Sequence, residues 1–217
     1  MNKELFMPEL MLRRRGLVVA AAAFAIASAR PGRAADSAGV IAPIQRLVDG
    51  LLEIMRAGER TPFQIRFATL GPIIDQTFDL SAILQQSVGF TWSGIPEDQK
   101  TTLEQAFRRY TVASYVNSFD SYDGQRFDVS PDTRAVGNGE QVVQTKITPR
   151  TGSSHELDYV MRQTGNGWRA VDVLADGSIS RVAVQRSDFR HLLTRGGPQA
   201  LAESLRTKSA DLSDGTG

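Results

Sequence analysis

Four segments in the second half of the chain alternate apolar and polar side chains with a period of two residues, which is typical of β-strands. Short glycine-containing connections separate them, and Gly165-Asn166-Gly167 has the composition of a hairpin turn. Strands joined by connections this short pair antiparallel with their neighbours in sequence. We therefore predict a four-stranded antiparallel meander over residues 126–174, with strands at Arg126–Val129, Gln141–Thr148, His155–Gln163 and Trp168–Leu174.

On both sides of this meander, apolar residues recur with the 3.6-residue period of helices. Helices are predicted over residues 40–122 and over 180–210, where Gly196-Gly197 and Pro198 divide the second group in two. Helices and strands that are segregated in this way indicate the α+β class. The predicted helices of the first group are Val40–Ala57, Pro62–Leu70, a short one opened by Pro72, Asp79–Gly89, and one from about Pro96 to Tyr122.

We predict one domain over residues 36–210, followed by a disordered polar tail at 211–217. A curved antiparallel sheet with helices on one face makes a half-open cone, and such a cone can hold an apolar cavity between its two layers. The fold prediction is therefore an α+β domain with a curved four-stranded antiparallel sheet and helices on one face, which can leave an apolar cavity between the two layers.

The N-terminus has the pattern of an export signal. Arg13-Arg14-Arg15 precedes an apolar run over residues 16–29, and a run of about 14 residues suits a signal peptide but is shorter than the ~20 residues that span a bilayer. Residues 1–35 carry a net charge of +4 and the remaining chain −3. We predict a cleaved signal peptide over residues 1–35 and a periplasmic protein, exported by the Sec or the twin-arginine route.

Composition excludes several classes of function. The absence of cysteine excludes thiol nucleophiles, disulfides and Cys-ligated zinc. The two histidines, His155 and His191, lie far apart in sequence without metal-ligand spacing, so we expect no metal and no cofactor. Neither a nucleophile-elbow motif nor a phosphate-binding loop is present. A domain with a net charge of −3 also lacks the basic balance of nucleic-acid binders.

Asp172 is a carboxylate within an apolar predicted strand, between Val171 and Val173. It could act as a general base in a cone-shaped enzyme. It could equally pair with an arginine such as Arg162 or Arg186, or cap a neighbouring turn, and a structural role of this kind is the favoured interpretation. Strand alternation places Trp168, Ala170, Asp172 and Leu174 on one face and Arg169, Val171 and Val173 on the other.

Bulky apolar residues lie on the helix and strand faces that are expected to meet. Periodicity cannot distinguish a filled core from one that leaves a cavity for an apolar ligand, so both interpretations stay open. If a cavity is present, the predicted ligand-binding residues are Leu80, Leu84, Val88, Phe107, Tyr110, Tyr115, Tyr159, Met161, Val171, Val173 and Phe189.

Two stretches resemble the MlaC family, also called Ttg2-type toluene-tolerance proteins. One runs from Tyr115 to Phe127. The other runs from Gly167 to Ser180 and continues through Arg186-Ser187-Asp188-Phe189 and Gly196-Gly197. The resemblance covers roughly residues 40–210. It implies an NTF2-like cone with a helical subdomain, lipid tails held between them, and a role as a periplasmic lipid shuttle of an ABC lipid transport system.

One position departs from the common family form, which has an aromatic residue before the Arg of R-x-x-F. Gln185 occupies this position and follows Val184, which is similar to the hopanoid-associated HpnM branch. The resemblance thus implies a non-enzymatic carrier of phospholipid or hopanoid, with an inner-membrane transporter complex and an outer-membrane complex as partners. The alternatives are an enzyme that acts on a polycyclic lipid with Asp172 as base, and a non-catalytic scaffold with a filled core.

Overall fold

The computed structural model describes residues 31–214, and it contains five helices and five strands over that range. A 3-10 turn at Gly89–Gly94 follows the third helix, and a shorter one at Gly137–Gly139 joins the first two strands. In chain order the elements are α1 (Pro31–Ala57), α2 (Phe63–Thr77), α3 (Leu80–Val88), α4 (Glu97–Ser118), β1 (Arg126–Ala135), β2 (Gln141–Thr148), β3 (His155–Thr164), β4 (Gly167–Ala175), β5 (Ile179–Ser180) and α5 (Arg181–Asp214).

The predicted α+β class and the antiparallel sheet are confirmed. The strands follow one another in the order β1-β2-β3-β4-β5, and each pairs antiparallel with the next. The prediction of four strands was incomplete, because β5 pairs only two residues with the end of β4 and is too short for a periodic signal. β1 also continues past its predicted end at Val129 to Ala135, after a break in register before Thr133.

A β-bulge in β4 makes the predicted alternation of that strand wrong. Met161 pairs with Ala170 and Val160 with Asp172, so Val171 has no partner on β3. One extra residue reverses the side-chain alternation beyond it. Ala170 and Val171 are consequently both buried although they are adjacent, and Ala170 and Val173 both belong to the main core.

The main core lies between the helices and the sheet. α1 packs against β1, β2 and β4, while α4 packs along α5 and against α2 and α3. The predicted helical stripes on α4 are buried, and the helix ends at Ser118 rather than near Tyr122. Phe119 is the C-cap of this helix, and its N–H donates to the Tyr115 carbonyl.

α2 differs from its prediction because it runs without interruption through Gly71-Pro72 to Thr77. A proline inside a helix costs roughly 3 kcal/mol, which is why a break is expected there. The side chains on either side, Leu70 and Ile74, are completely buried. Their burial offsets the cost of the proline, since a fully buried aliphatic side chain contributes about 1.5–3 kcal/mol.

The division of α5 at Gly196-Gly197 is confirmed, because Gly197 has a φ of 67° and interrupts the helix. The disordered tail predicted from residue 211 is wrong up to Asp214. Ser209 is buried and Leu212 packs against the core, so the last helix continues four residues into that segment.

The predicted signal peptide lies largely outside the described residues. Its last residues, 31–35, fall in the first turns of α1, which begins before the predicted start at Val40. Within residues 31–214, no helix is both long and apolar enough to cross a membrane.

Candidate functional site: a small apolar cavity and a larger cleft

A small apolar cavity lies between the sheet and the helices α3, α4 and α5. Its volume is about 70 Å³, whereas sites for drug-sized ligands usually measure roughly 300–1,000 Å³. It is therefore a narrow space, part-way between the filled core and the open cavity that the sequence leaves as alternatives. Its lining residues are Phe78, Leu80, Ile83, Phe107, Tyr110, Thr111, Ser114, Tyr115, Leu157, Asp172, Val173, Ala175, Arg181, Val182 and Gln185.

Helical spacing explains how α4 forms one wall. Phe107, Tyr110, Thr111 and Ser114 lie three, four and seven residues apart, so they share one face of the helix. The hydroxyls of Thr111 and Ser114 donate to the carbonyls of Phe107 and Tyr110 on the same helix. These two polar residues therefore present mainly their carbon atoms to the cavity.

The predicted ligand-binding residues fall into three groups. Leu80, Phe107, Tyr110, Tyr115 and Val173 line the cavity. Val88 lies at a separate cleft, described below. The others are buried but do not line the cavity; they are Leu84, Tyr159, Met161, Val171 and Phe189. Of these, Phe189 packs edge-on against Phe107, with the ring centroids 6.2 Å apart.

Asp172 borders the cavity and caps the start of α5. Its Oδ1 accepts from the backbone N–H groups of Val173 at 2.8 Å and Val182 at 3.1 Å, and its Oδ2 accepts from the Ser180 hydroxyl. The first backbone N–H groups of a helix have no partner within the helix, and a carboxylate there also opposes the helix dipole favourably. The capping role considered for Asp172 is thus confirmed.

The arginines considered as partners of Asp172 bond elsewhere. Arg162 forms an ion pair with Glu140 through Nη2 at 2.6 Å, and Arg186 Nε donates to the Gln86 carbonyl at 2.9 Å. The two histidines stand apart from the cavity: His155 begins β3 and His191 is exposed on α5. Among the described residues, no group of three or more acidic or histidine side chains is placed to hold a metal ion.

Two tyrosines make the interior partly polar. Tyr115 and Tyr159 are buried and share a hydroxyl hydrogen bond. Burial raises the pKa of both phenols well above the usual value of 10, since the charged phenolate is poorly solvated there. The Arg181 guanidinium opposes this rise for Tyr115. Both tyrosines are therefore neutral at physiological pH.

Arg181 and Gln185 are lining residues that the periodicity did not single out, whereas Val182 lies on the apolar stripe predicted for this helix. All three come from the first turns of α5. For a polar residue in such a short stretch, helical spacing does not show whether the side chain faces a cavity or solvent. Gln185 Oε1 accepts from the Ser87 hydroxyl at 3.1 Å. This bond and the Arg186–Gln86 bond join α5 to α3, and we call this contact the α3–α5 seam.

A second, open cleft of about 1,130 Å³ lies on the other side of this seam. α3 contributes Gln85, Gln86 and Val88 to it, while Leu80 and Ile83 of the same helix line the cavity. The remaining walls are the Gly89–Gly94 turn, the start of α4 and part of α5. Those residues are Gly89, Phe90, Thr91, Trp92, Ser93, Gly94, Ile95, Pro96, Gln99, Arg186, Arg190, Leu193, Thr194 and Pro198.

Comparison with known proteins assigns the chain to a family. A family model described as MlaC protein matches residues 45–207. The chain belongs to the MlaC family. It is also 25% identical over 128 residues to the toluene tolerance protein Ttg2D of Pseudomonas putida. That match covers 59% of this chain and 57% of the relative, so it spans little more than half the length of that protein.

Among solved structures, the MlaC-family chain is similar to the phospholipid-binding protein from Ralstonia solanacearum in complex with a phospholipid. The TM-score is 0.69 at 21% identity, and the match covers 80% of this chain and 98% of the other. At this identity the likeness shows a shared fold. The resemblance to the MlaC and Ttg2 family is confirmed, while membership of the HpnM branch stays a prediction.

Proposed function

We propose that this protein is a periplasmic lipid carrier that holds the apolar part of one lipid between its sheet and its helices. The observation that carries the proposal is the apolar cavity lined by α3, α4, α5 and β4. It is supported by membership of the MlaC family and by the fold shared with a phospholipid-binding protein that holds a phospholipid. The basic and apolar residues before residue 36 support export.

The mechanism is passive shielding of a lipid chain from water. At ~0.8 kcal/mol for each buried CH₂ group, a sixteen-carbon chain gains on the order of 10 kcal/mol from burial. A cavity of about 70 Å³ is too small for such a chain, because a single water molecule already requires ~10–15 Å³ of cavity volume on the same measure. Loading therefore requires the layers to separate.

The α3–α5 seam is the contact that we propose to open. It contains polar bonds, Ser87–Gln185 and Arg186–Gln86, next to the cavity wall formed by Ile83 and Val182. A typical hydrogen bond contributes only about 0.5–1.5 kcal/mol net, since water replaces it on opening. The seam thus costs less to separate than the continuous apolar contacts of the core.

Gln185 bears on the identity of the lipid. It is the position at which the sequence departs from the common family form, and its amide reaches both the cavity and Ser87. We propose that the ligand is a hopanoid or a phospholipid, and that the exchanging partners are an inner-membrane lipid transporter complex and an outer-membrane complex. The amide in place of an aromatic ring supports the hopanoid branch.

Lipid analysis of the purified protein tests the carrier function. The protein is produced with its own N-terminal segment in a hopanoid-producing bacterium, recovered from the periplasm and extracted for mass spectrometry. We expect about one lipid per chain, and uptake from vesicles by the delipidated protein. Repeated absence of lipid together with no uptake would overturn the proposal.

A cavity-filling variant locates the site. Ser114→Leu places a branched side chain in the cavity wall, and Ser118→Leu makes the same change at an exposed position of α4. We expect Ser114→Leu to lose most of the lipid while Ser118→Leu retains it. Because overpacking costs about 1–3 kcal/mol, both variants are first shown to be folded by circular dichroism. Equal lipid content in the two would place the ligand elsewhere.

A further inference from the structure

The Gly89–Gly94 turn exposes an aromatic side chain beside the cleft. Phe90 is 105% exposed, against 57% for Ile65 and 40% for Tyr122, which are the other exposed large apolar residues of the described chain. Isolated exposed apolar residues are common, but a fully exposed Phe on a tight turn contacts nothing in its own fold. A side chain of this size removes about 150–250 Å² from water when it is buried by a partner.

The charges at the cleft have one sign. Arg186 and Arg190 are the charged residues that line it, and they lie one helical turn apart on α5. Neither forms an ion pair with a described residue: Arg186 donates only to the Gln86 carbonyl. The acidic residues nearby lie outside the cleft lining: Glu97 and Asp98 begin α4, and Asp188 lies between the two arginines in the sequence of α5.

This local arrangement contrasts with the rest of the domain. Residues 36–217 carry a net charge of −3, yet the cleft combines an exposed Phe, two arginines and Trp92. The Lys100 ammonium 5.7 Å from the Trp92 ring is already paired with Glu97, so the two arginines carry the charge of this surface. Aromatic side chains flanked by basic ones are typical of protein surfaces that lie in the headgroup region of a bilayer. Because the domain as a whole is negatively charged, an anionic membrane would repel its other faces.

We propose that the face formed by Phe90, Arg186 and Arg190 docks the protein on the surface of an anionic phospholipid bilayer. Phe90 inserts at the level of the headgroups and the two guanidinium groups contact phosphates. The inference rests on the proposed carrier function in one respect, which is the link between docking and the cavity. α3 and α5 separate this face from the cavity, so docking acts on helices that also line the cavity.

Vesicle flotation tests docking directly. The probes are phosphatidylcholine vesicles with and without phosphatidylglycerol, and the protein is the wild-type chain after export. We expect binding to the anionic vesicles that weakens with added salt, because screening shortens electrostatic attraction to about 8–10 Å at physiological ionic strength. Absence of binding to anionic vesicles would overturn the proposal.

Matched variants assign the binding to this face. A basic residue near an anionic surface contributes about 1 kcal/mol, which corresponds to roughly a fivefold change in affinity. We therefore expect Arg190→Gln to weaken binding about fivefold and Phe90→Ser to weaken it more. The controls are Arg46→Gln, exposed on α1, and Ile65→Ser, exposed on α2. Equal losses in controls and test variants would overturn the assignment to this face.

The outcomes separate docking from lipid carriage. A protein that contains lipid but fails to bind anionic vesicles overturns docking and leaves the carrier function in place. A protein that binds vesicles but never contains lipid supports docking and overturns the carrier function. Binding only to vesicles that contain membrane proteins would assign the face to a protein partner instead of a bilayer, and would overturn the proposal.

Discussion

The small cavity and the large cleft lie on opposite sides of the same two helices, and they differ in volume and in the residues that line them. The cavity is small and mainly apolar, while the cleft is large and its lining includes two arginines and three glutamines. α3 contributes apolar residues such as Ile83 to the first and polar residues such as Gln86 to the second. An amphipathic helix of nine residues can therefore serve as the wall between a lipid site and a docking surface.

Truncating a buried side chain of α3 and an exposed side chain of the adjoining turn should change stability by very different amounts. This is the largest effect that we expect. Leu84 is completely buried and Phe90 is completely exposed, although they are only six positions apart. Leu84→Ala should lower the free energy of unfolding by about 3 kcal/mol, since it leaves a cavity. Phe90→Ala should change it by less than about 0.5 kcal/mol. Urea denaturation of the two variants measures both, and similar losses would contradict the contrast.

The cap on α5 gives the next largest effect. Asp172→Ala removes an acceptor of three hydrogen bonds at the start of the helix. We expect a loss of about 2 kcal/mol in the free energy of unfolding, because a cap contributes ~1 kcal/mol and charged hydrogen bonds somewhat more. The exposed Asp132→Ala is the control and should change stability little. Unchanged stability of the Asp172→Ala protein would contradict the capping role and reopen the role of a base.

The α3–α5 seam should respond more weakly. Gln185→Leu removes the acceptor of the Ser87 hydroxyl, which keeps its bond to the Ile83 carbonyl at 2.8 Å. The lost bond corresponds to about 1 kcal/mol, and we expect lipid exchange from vesicles to become up to about fivefold faster. Ser187→Ala, at an exposed position of the same helix, is the matched control. Slower exchange in Gln185→Leu would place the opening elsewhere.

The buried tyrosines give the smallest effect, because their titration changes the stability of the protein only in alkali. Burial raises the pKa of Tyr115 and Tyr159 above 10, so the folded protein binds more protons than the unfolded chain above that pH. Stability is then present below pH 10 and is lost as the pH rises further. Tyr159→Phe should reduce this alkaline loss, whereas Tyr122→Phe, at an exposed ring, should not. Urea midpoints measured on both sides of pH 10 test this.

Much of the fold could be predicted from local pattern. The change of period near residue 126 located the sheet, and the Gly165-Asn166-Gly167 turn correctly predicted one hairpin. The errors have a common cause in packing: α2 continues through Pro72 because Leu70 and Ile74 are buried, and β4 bulges at Val171. Neither result is encoded by the period of a single segment.

The candidate site was only partly predictable for the same reason. Phe107 and Tyr110 line the cavity as their stripe on α4 indicates, but Met161, with equal apolar character, lies in the filled core. Gln185 and Arg181 reach the cavity although their chemistry suggests a solvated surface. A periodic pattern identifies which face is buried, while the distance between two faces depends on every side chain between them.

The sequence by itself determined the class of the fold, the order of its elements and the family, because these depend on local periodicity and on short motifs. It also determined the contrast between a basic N-terminal segment and a mildly acidic domain. Only the tertiary structure decided that the helices nearly close the cavity, that Asp172 caps α5, and that Phe90 stands exposed beside two arginines. Those features join residues from distant parts of the chain, and packing in three dimensions sets their separation.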